Sequence, residues 1–193
     1  MTSRERIDPV VTDRLILRNW RHGDREPFAA LNADPEVMRH LPGVRTRAAS
    51  DAMVDRLAAA IARDGYGLWA VEVADAGDFV GFTGMTAADA TFPCAPAVEI
   101  GWRLARHAWG HGYATEAARA CLEVAFDRLK LPELVSVTAP ANVRSQAVMR
   151  RLGMTRDPSE DFDLPSAPGG RAVLYRLEAA SWRRSLSEGG AAG

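Results

Sequence analysis

The chain has 193 residues and a mass of 20.9 kDa, which suits one domain with a substantial hydrophobic core. Its composition is that of an ordinary globular protein, with 47% hydrophobic and 25% charged residues. A formal net charge of −1 gives no general attraction to nucleic acid or to an anionic membrane, so neither is expected as a partner.

Cysteine content and the N-terminal residues indicate a cytoplasmic protein. The two cysteines, Cys94 and Cys121, share no motif, so a disulfide framework is not expected. Residues 1–6 contain no apolar stretch of the kind found in a signal peptide, and no apolar run is long enough to span a membrane. We therefore expect cytoplasmic localisation, while the oligomeric state, including a homodimer, stays open.

The first half of the chain combines a strand, helices and a hairpin. Apolar residues alternate around Leu15 and Leu17, which predicts a strand, whereas they recur at helical spacing between Met53 and Ile61. The expected elements are a strand at 10–20, a short helix capped by Asp24, a helical turn from Asp34, a loop at 39–45, a helix at 46–64 ended by Gly65, and a hairpin of strands at 68–74 and 78–86.

The second half alternates strands and helices around a glycine-containing loop. After an irregular stretch at 89–96, the expected elements are strands at 97–104, 134–139 and 171–178, helices at 113–129 and 142–152, a further strand from Met154, and a polar loop at 157–170. This order predicts a mixed α/β (α+β) fold, with a mostly antiparallel central sheet in a single domain over residues 10–178. Residues 179–193 are expected to form a C-terminal tail that is partly disordered.

The loop between residues 104 and 113 has the features of an anion-binding site. Gly110 and Gly112 carry no side chains, so backbone N–H groups can approach a ligand, and the start of the following helix favours negative charge. A nucleotide-triphosphatase loop would need Lys and Ser or Thr after the second glycine, but Tyr-Ala-Thr follows Gly112. A dinucleotide fingerprint would need a third glycine where Thr115 stands, and an acidic residue at a strand end about 20 residues further on. Both nucleotide interpretations are therefore weak.

Three blocks of sequence, in the expected order, are instead similar to the GNAT acetyltransferases. Residues 109–114, Trp-Gly-His-Gly-Tyr-Ala, resemble the acyl-CoA loop of that family, with tryptophan in place of the usual Gln or Arg as in the RimJ/RimL-like branch. The match continues through Thr-Glu-Ala at 115–117. Residues 12–18 resemble the opening strand of the branch, and residues 142–154 resemble its second cofactor motif, Asn-x-x-Ser followed by a helix ending in Leu-Gly-Phe/Met.

The resemblance implies the GNAT fold, in which the central sheet splays open at the acyl-CoA site and helices flank it. It also implies an N-acetyltransferase that uses acetyl-CoA as co-substrate and passes the acetyl group directly to an amine in a ternary complex. Backbone N–H groups of residues 109–114 would bind the CoA pyrophosphate, and those near 100–102 would face the acetyl carbonyl. The expected cofactor-binding residues are Ile100, Gly101, Trp102, Trp109, Gly110, His111, Gly112, Tyr113, Ala114, Thr115, Asn142 and Ser145.

Glu99 is the candidate general base. It alternates with Val98 and Ile100, so its side chain faces away from theirs, and a carboxylate in a mostly apolar strand should have a raised pKa. Such a group can take a proton from an ammonium, directly or through water, which is typically worth about 10²–10⁴-fold in rate. The alternative is a structural acid that pairs with Arg103 or faces solvent.

Ser145 is the candidate acid for the leaving thiolate. Many GNAT enzymes place a tyrosine where this chain has Met149, and some RimL-like enzymes are thought to use the serine instead. The alternative is that Ser145 only hydrogen-bonds CoA or the helix backbone. Asn142 is expected to order the pantetheine arm or the helix start, where it would also serve simply as a cap.

The acceptor is expected to be a primary amine, and its identity stays open. The resemblance places it between the early helices, at about 24–64, and the late loop, where four acids between 157 and 163 would attract a cationic amine unless the loop is simply solvated. A protein N-terminus, an amino acid or polyamine, an aminoglycoside-type drug, and a non-catalytic acyl-CoA-binding domain are all compatible. His107 and His111 stand four residues apart, but Gly110 lies between them, so no metal is expected.

Overall fold

Eight strands form one sheet in the computed structural model, which describes residues 9–189. The strands are β1 (Val10–Val11), β2 (Leu15–Arg18), β3 (Leu68–Val73), β4 (Phe79–Ala87), β5 (Val98–Leu104), β6 (Glu133–Thr138), β7 (Phe162–Asp163) and β8 (Arg171–Glu178). Their order across the sheet is β1-β2-β3-β4-β5-β6-β8-β7. Neighbouring strands are antiparallel except for β5 and β6, which run parallel. The structure thus confirms the mixed, mostly antiparallel sheet.

Helices cover both faces of this sheet. They are α1 (Arg25–Ala33), α2 (Pro35–Met38), α3 (Arg47–Asp64), α4 (Tyr113–Glu123), α5 (Val143–Arg151) and α6 (Ala179–Gly189), and a π-helical turn over Val124–Arg128 extends α4. Phe28 of α1 packs edge-on against Phe82 of β4, with ring centroids 6.0 Å apart. The next residue of β4, Thr83, contacts Cys121 of α4 instead. Adjacent residues of a strand point to opposite faces, so α1 and α4 lie on opposite sides.

The long helix α4 packs closely on the sheet through small residues. Ala117, Ala118 and Cys121 are completely buried, because short side chains let the helix backbone approach the strands. Burial raises the pKa of the Cys121 thiol to about 12, and contact with Thr83 acts in the opposite direction. Cys121 is therefore an inert core residue, as its place on the apolar face predicts.

The sheet splays open between β5 and β6. The two strands are in register at a single point, Glu99 opposite Val135, and beyond it residues 101–104 have no partner in β6. The Ser136 hydroxyl donates to the Ile100 carbonyl at 2.9 Å and closes the narrow end of the gap. From there β6 pairs along its whole length with β8. The predicted opening between these strands is thus confirmed.

Two predictions for the N-terminal segment are wrong in detail. Residues 10–20 do not form one strand, because the chain reverses at Thr12, whose hydroxyl accepts from the Leu15 N–H at 2.9 Å, and β1 folds back on β2. Asp24 makes no side-chain cap to α1. Its carboxylate accepts from the Arg21 N–H and pairs with Arg18, because a buried guanidinium requires a counter-charge.

The C-terminal segment also differs from its prediction. No strand starts at Met154 within residues 9–189; only an isolated bridge joins Thr155 to Arg176, and the loop that follows contains β7. Residues 179–189, expected to begin a tail, form α6, because Trp182 is buried against Phe126 with ring centroids 6.3 Å apart. Residues 190–193 lie outside the described part of the chain.

Candidate functional site

Glu99 lies at the point where β5 and β6 separate. It is half-buried, and its carboxylate accepts a hydrogen bond from the Val137 N–H of β6. Burial raises the pKa of Glu99 to about 7; the Val137 N–H opposes this shift, and the nearby negative charge of Asp89 adds to it. Arg103 does not neutralise this acid, since its Nη1 donates to Asn32. The carboxyl group is therefore poised to gain or lose a proton near neutral pH.

The glycine loop has the geometry that its sequence predicts. Gly110 and Gly112 both have φ of +81°, in the left-handed region that favours glycine. Gly112 immediately precedes α4 and has no side chain with which to cap it. The first N–H groups of α4 thus have no side-chain cap, which is the arrangement that binds anions at helix N-termini.

A network of charged and polar side chains holds this loop and the start of α4 in place. The Glu116 carboxylate in the first turn of α4 accepts from the Thr12 hydroxyl at 2.6 Å, the Arg14 N–H at 3.0 Å and the Arg14 Nε at 2.7 Å. Arg14 Nη1 also donates to the His111 carbonyl inside the loop at 3.0 Å. Burial opposes, but these bonds outweigh it and lower the pKa of Glu116. Arg14 therefore ties the loop and α4 to the turn between β1 and β2.

Trp109 brings the two predicted cofactor blocks together. Its Nε1 donates to the Leu104 carbonyl at 2.8 Å, which holds the loop against the end of β5. The Arg144 guanidinium of α5 lies over its ring, 4.5 Å from the centroid. Trp102 is half-buried and packs against the core. Tryptophan at position 109 thus joins the glycine loop to the start of α5.

Asn142 is the N-terminal cap of α5. Its Oδ1 accepts from the Ser145 N–H at 3.2 Å, and its Nδ2 donates to the Thr138 hydroxyl at 2.9 Å. The capping alternative considered for Asn142 is therefore present in the structure. The Ser145 hydroxyl is half-buried and makes no hydrogen bond with any residue from 9 to 189, so it is available to a ligand. Met149 is buried one turn further along.

The four acids of the late loop already have partners. Asp157 caps its own turn, while Glu160 pairs with Arg176, Asp161 with Arg156, and Asp163 with Arg171. These contacts hold the loop against β8 and to itself. The structure favours a structural role for the acids over the attraction of a cationic amine.

Neither a metal cluster nor a membrane helix occurs in the described chain. Between residues 9 and 189, no group of three or more His, Cys, Asp or Glu side chains is arranged to hold a metal ion. His107 and His111 both lie exposed in the segment before α4. No helix in the same range combines the length and the apolar character that crossing a membrane requires.

Comparison with known proteins identifies the family. The acetyltransferase (GNAT) domain family matches residues 14–155. The chain belongs to the GNAT acetyltransferase family. The uncharacterised protein YkkB of Bacillus subtilis is 32% identical over 146 residues, which cover 75% of this chain and 84% of the relative. The FsC-acetyl coenzyme A-N(2)-transacetylase of Aspergillus fumigatus is 32% identical over 184 residues, covering 90% and 77%. A solved acetyltransferase from Agrobacterium tumefaciens is 29% identical with a TM-score of 0.75, covering 92% and 98%.

The sequence analysis assigns no function to several residues of this candidate site. Ser136 closes the gap beside β5, and Thr138 accepts a hydrogen bond from the Asn142 side chain. The sequence does contain a pattern that could identify them, because these two hydroxyl residues alternate in an otherwise apolar predicted strand. Arg14 belongs to a block that resembles the family, but its contact with Glu116 joins residues 102 positions apart. Nothing in the local pattern connects two such residues.

Proposed function

We propose that this GNAT acetyltransferase transfers the acetyl group of acetyl-CoA to a primary amine by direct attack in a ternary complex, with Glu99 as general base. The observation that carries the proposal is the position of Glu99, a carboxyl group with a pKa of about 7 at the opening between β5 and β6. A general base works best when its pKa lies near the operating pH. The name of the Aspergillus relative, an acetyl coenzyme A transacetylase, supports the same donor.

The described residues fit acetyl-CoA as co-substrate. The uncapped start of α4, with Gly110 and Gly112, would hold the pyrophosphate, and the gap beyond Glu99 would take the pantetheine arm between β5 and β6. Backbone N–H groups near 100–102 of β5 would face the acetyl carbonyl and stabilise negative charge as it develops there.

Proton transfer is the task left to the side chains. Glu99 takes a proton from the acceptor ammonium, directly or through water, so that the neutral nitrogen forms a bond to the acetyl carbon while the carbon–sulfur bond breaks. The sulfur leaves as a thiolate, and the second proton that the nitrogen loses on becoming an amide reaches this thiolate through the Ser145 hydroxyl, which is reprotonated as it donates, or through solvent. Ser145 suits this role because its hydroxyl is not engaged elsewhere in the described chain.

Initial-rate kinetics of thiol release test the proposal. Peptides, amino acids, polyamines and aminoglycosides serve as acceptors, and we expect amine-dependent release with intersecting double-reciprocal plots, because both substrates must be bound before reaction. Parallel lines would indicate an acetyl-enzyme and contradict direct attack. Acetyl-CoA binding without amine-dependent release would instead favour a non-catalytic acyl-CoA-binding domain. ATP and NAD are the control ligands, and neither should raise the melting temperature.

Glu116→Gln is expected to weaken acetyl-CoA binding about 5–10-fold with little change in kcat. The amide has nearly the same shape, but the charge-assisted bonds from Arg14 and Thr12 weaken by about 1–1.4 kcal/mol in total, so the loop is held less firmly. Titration calorimetry with acetyl-CoA measures the effect. Glu123→Gln, an exposed acid on the same helix, is the matched control. Equal affinities in the two variants would show that Glu116 does not position the loop.

A further inference from the structure

Two arginines on one side of the sheet lack a counter-charge. Arg103 projects from β5, and Arg45 lies in the segment between α2 and α3; both are half-buried. Asn32 connects them, since its side-chain oxygen accepts from Arg103 Nη1 at 2.6 Å and its backbone oxygen accepts from the Arg45 N–H at 2.9 Å. The Nε atom of each arginine is buried without a hydrogen-bond partner. Over residues 9–189, neither guanidinium forms an ion pair.

The environment of these two arginines differs from that of Arg18, which is more deeply buried. Arg18, 5% exposed, pairs with both Asp24 and Glu72. Burial, and then the charge of Arg45, lower the pKa of Arg103 to about 10, so the two cations destabilise each other. Removing a guanidinium from water without a partner is unfavourable. A bound anion would relieve both the desolvation and the repulsion.

The two arginines lie on the same side of β5 as the proposed base. Glu99, Gly101 and Arg103 alternate along the strand and therefore share a face. No atom lies within 4 Å of the position that a Cβ at Gly101 would occupy, so the surface between the acid and the arginine is open. At about 3.3 Å per residue, the Cα atoms of Glu99 and Arg103 are about 13 Å apart. Arg103 stands at one end of this surface, where its guanidinium lies over the Phe82 ring and donates to Asn32.

We propose that Arg45 and Arg103 form a subsite for a carboxylate on the acceptor, so that this acetyltransferase acts on amines that carry a carboxylate several bonds from the nitrogen. The inference rests on the proposed function, because Glu99 defines where the amine reacts. Guanidinium groups recognise carboxylates through paired N–H donors, and two adjacent arginines supply more donors than one carboxylate needs. The separation suits an extended amino acid or the N-terminus of an acidic peptide better than an α-amino acid.

The first experiment measures anion binding without turnover. Succinate is titrated into the full chain while the melting temperature is followed, with succinamide at matched ionic strength as the uncharged control. We expect saturable stabilisation by succinate only, and at least tenfold weaker binding in both Arg45→Met and Arg103→Met. Arg56→Met removes an exposed arginine from α3 and should bind succinate like the wild type. Non-saturable stabilisation, or succinate binding as tight as that of the wild type in Arg45→Met and Arg103→Met, would overturn the subsite.

The same variants separate binding from a structural role. Arg103 also lies over the Phe82 ring, 5.1 Å from its centroid, and would stabilise the fold in that way alone. If the subsite exists, removing an uncompensated charge leaves the ligand-free melting temperature unchanged or raises it. A large decrease in the ligand-free melting temperature of Arg103→Met would indicate that Arg103 has a structural role. In that case succinate binding by Arg45→Met decides the outcome, because Arg45 lies in a loop.

The second experiment measures acceptor choice. Amines are compared by kcat/KM in pairs whose members differ only in a carboxylate or a carboxamide. One series pairs each amino acid, from glycine to 6-aminohexanoate, with its carboxamide. The other pairs the dipeptide Ala-Asp with Ala-Asn, both with amidated C-termini. We expect a preference of about 10–100-fold for the carboxylate member, corresponding to about 1.4–2.8 kcal/mol, lost in both subsite variants while the carboxamide rates stay within about twofold. The two series separate small amino acids from peptides as the source of the carboxylate.

The two experiments fail independently. Acetylation at equal rates within every pair would overturn the subsite and leave the proposed function intact. Saturable succinate binding that depends on both arginines, without acetylation of any amine, would overturn the proposed function and support an anion site on its own.

Discussion

Glu99→Gln is expected to lower kcat/KM for the amine by about 10²–10⁴-fold and to remove the acidic limb of the pH–rate profile. The wild-type limb should be centred near pH 7, because the carboxyl group must be deprotonated to accept a proton and its pKa is about 7. Activity thus rises as the pH rises through 7. The glutamine keeps an oxygen that can accept from the Val137 N–H but cannot take a proton.

The control for this variant is another strand acid. Glu178→Gln removes an exposed carboxylate at the end of β8, and it should leave both the rate and the pH profile unchanged. Acetyl-CoA affinity, measured separately, should be similar in all three proteins. Wild-type kinetics in Glu99→Gln would exclude Glu99 as the base and point to solvent or to an acceptor that is already neutral.

Stability provides a second readout of the same carboxyl group. The folded protein favours the protonated form of Glu99, so its contribution to stability is fully present below the ordinary pKa of about 4.5 and is lost as the pH rises through about 7. The shift corresponds to a few kcal/mol, and partial exposure reduces this to about 2 kcal/mol. Glu99→Gln should therefore be more stable than the wild type at pH 9 by about that amount, and nearly equal to it at pH 4.5. Urea denaturation at the two pH values measures the difference.

Sequence predicts the parts of this site that local patterns encode. Gly110 and Gly112 before a helix, and Asn142 three residues before Ser145, have fixed spacings, and the structure places them as expected. The position of Glu99 followed from strand alternation alone. Such features depend on backbone geometry within one or two elements, so they are visible without tertiary structure.

The parts that sequence could not predict depend on contacts between distant segments. Arg103 and Asn32 are 71 positions apart, and no periodicity relates them. The sequence of α6 resembles an exposed tail, but the segment is helical because Trp182 packs against Phe126 of a distant segment. The reversal at Thr12 splits a strand whose apolar alternation is regular, because the hydroxyl offers the backbone a local hydrogen bond.

Gly84→Ala is expected to have the largest effect on stability. Gly84 lies in β4 between Leu68 of β3 and Gly101 of β5, with φ of +148°, and a Cβ there would stand 1.9 Å from the Gly67 carbonyl oxygen. That oxygen also accepts from the Met85 N–H at 3.0 Å, so the backbone cannot move away without breaking the ladder. Backbone strain and overpacking together should cost about 3–5 kcal/mol, measured by urea denaturation.

Gly77→Ala separates the two contributions to that cost. Gly77, in the turn between β3 and β4, also has positive φ, at +71°, but no atom lies within 4 Å of its would-be Cβ. It should lose only about 1–2 kcal/mol, from backbone strain. If Gly84→Ala and Gly77→Ala lost the same free energy of unfolding, the close approach of β3 and β4 at Gly84 would be contradicted. If Gly84→Ala folds at low temperature, the loss should extend to acetyl transfer, because Gly84 pairs with Gly101, two residues from Glu99 on the same face of β5.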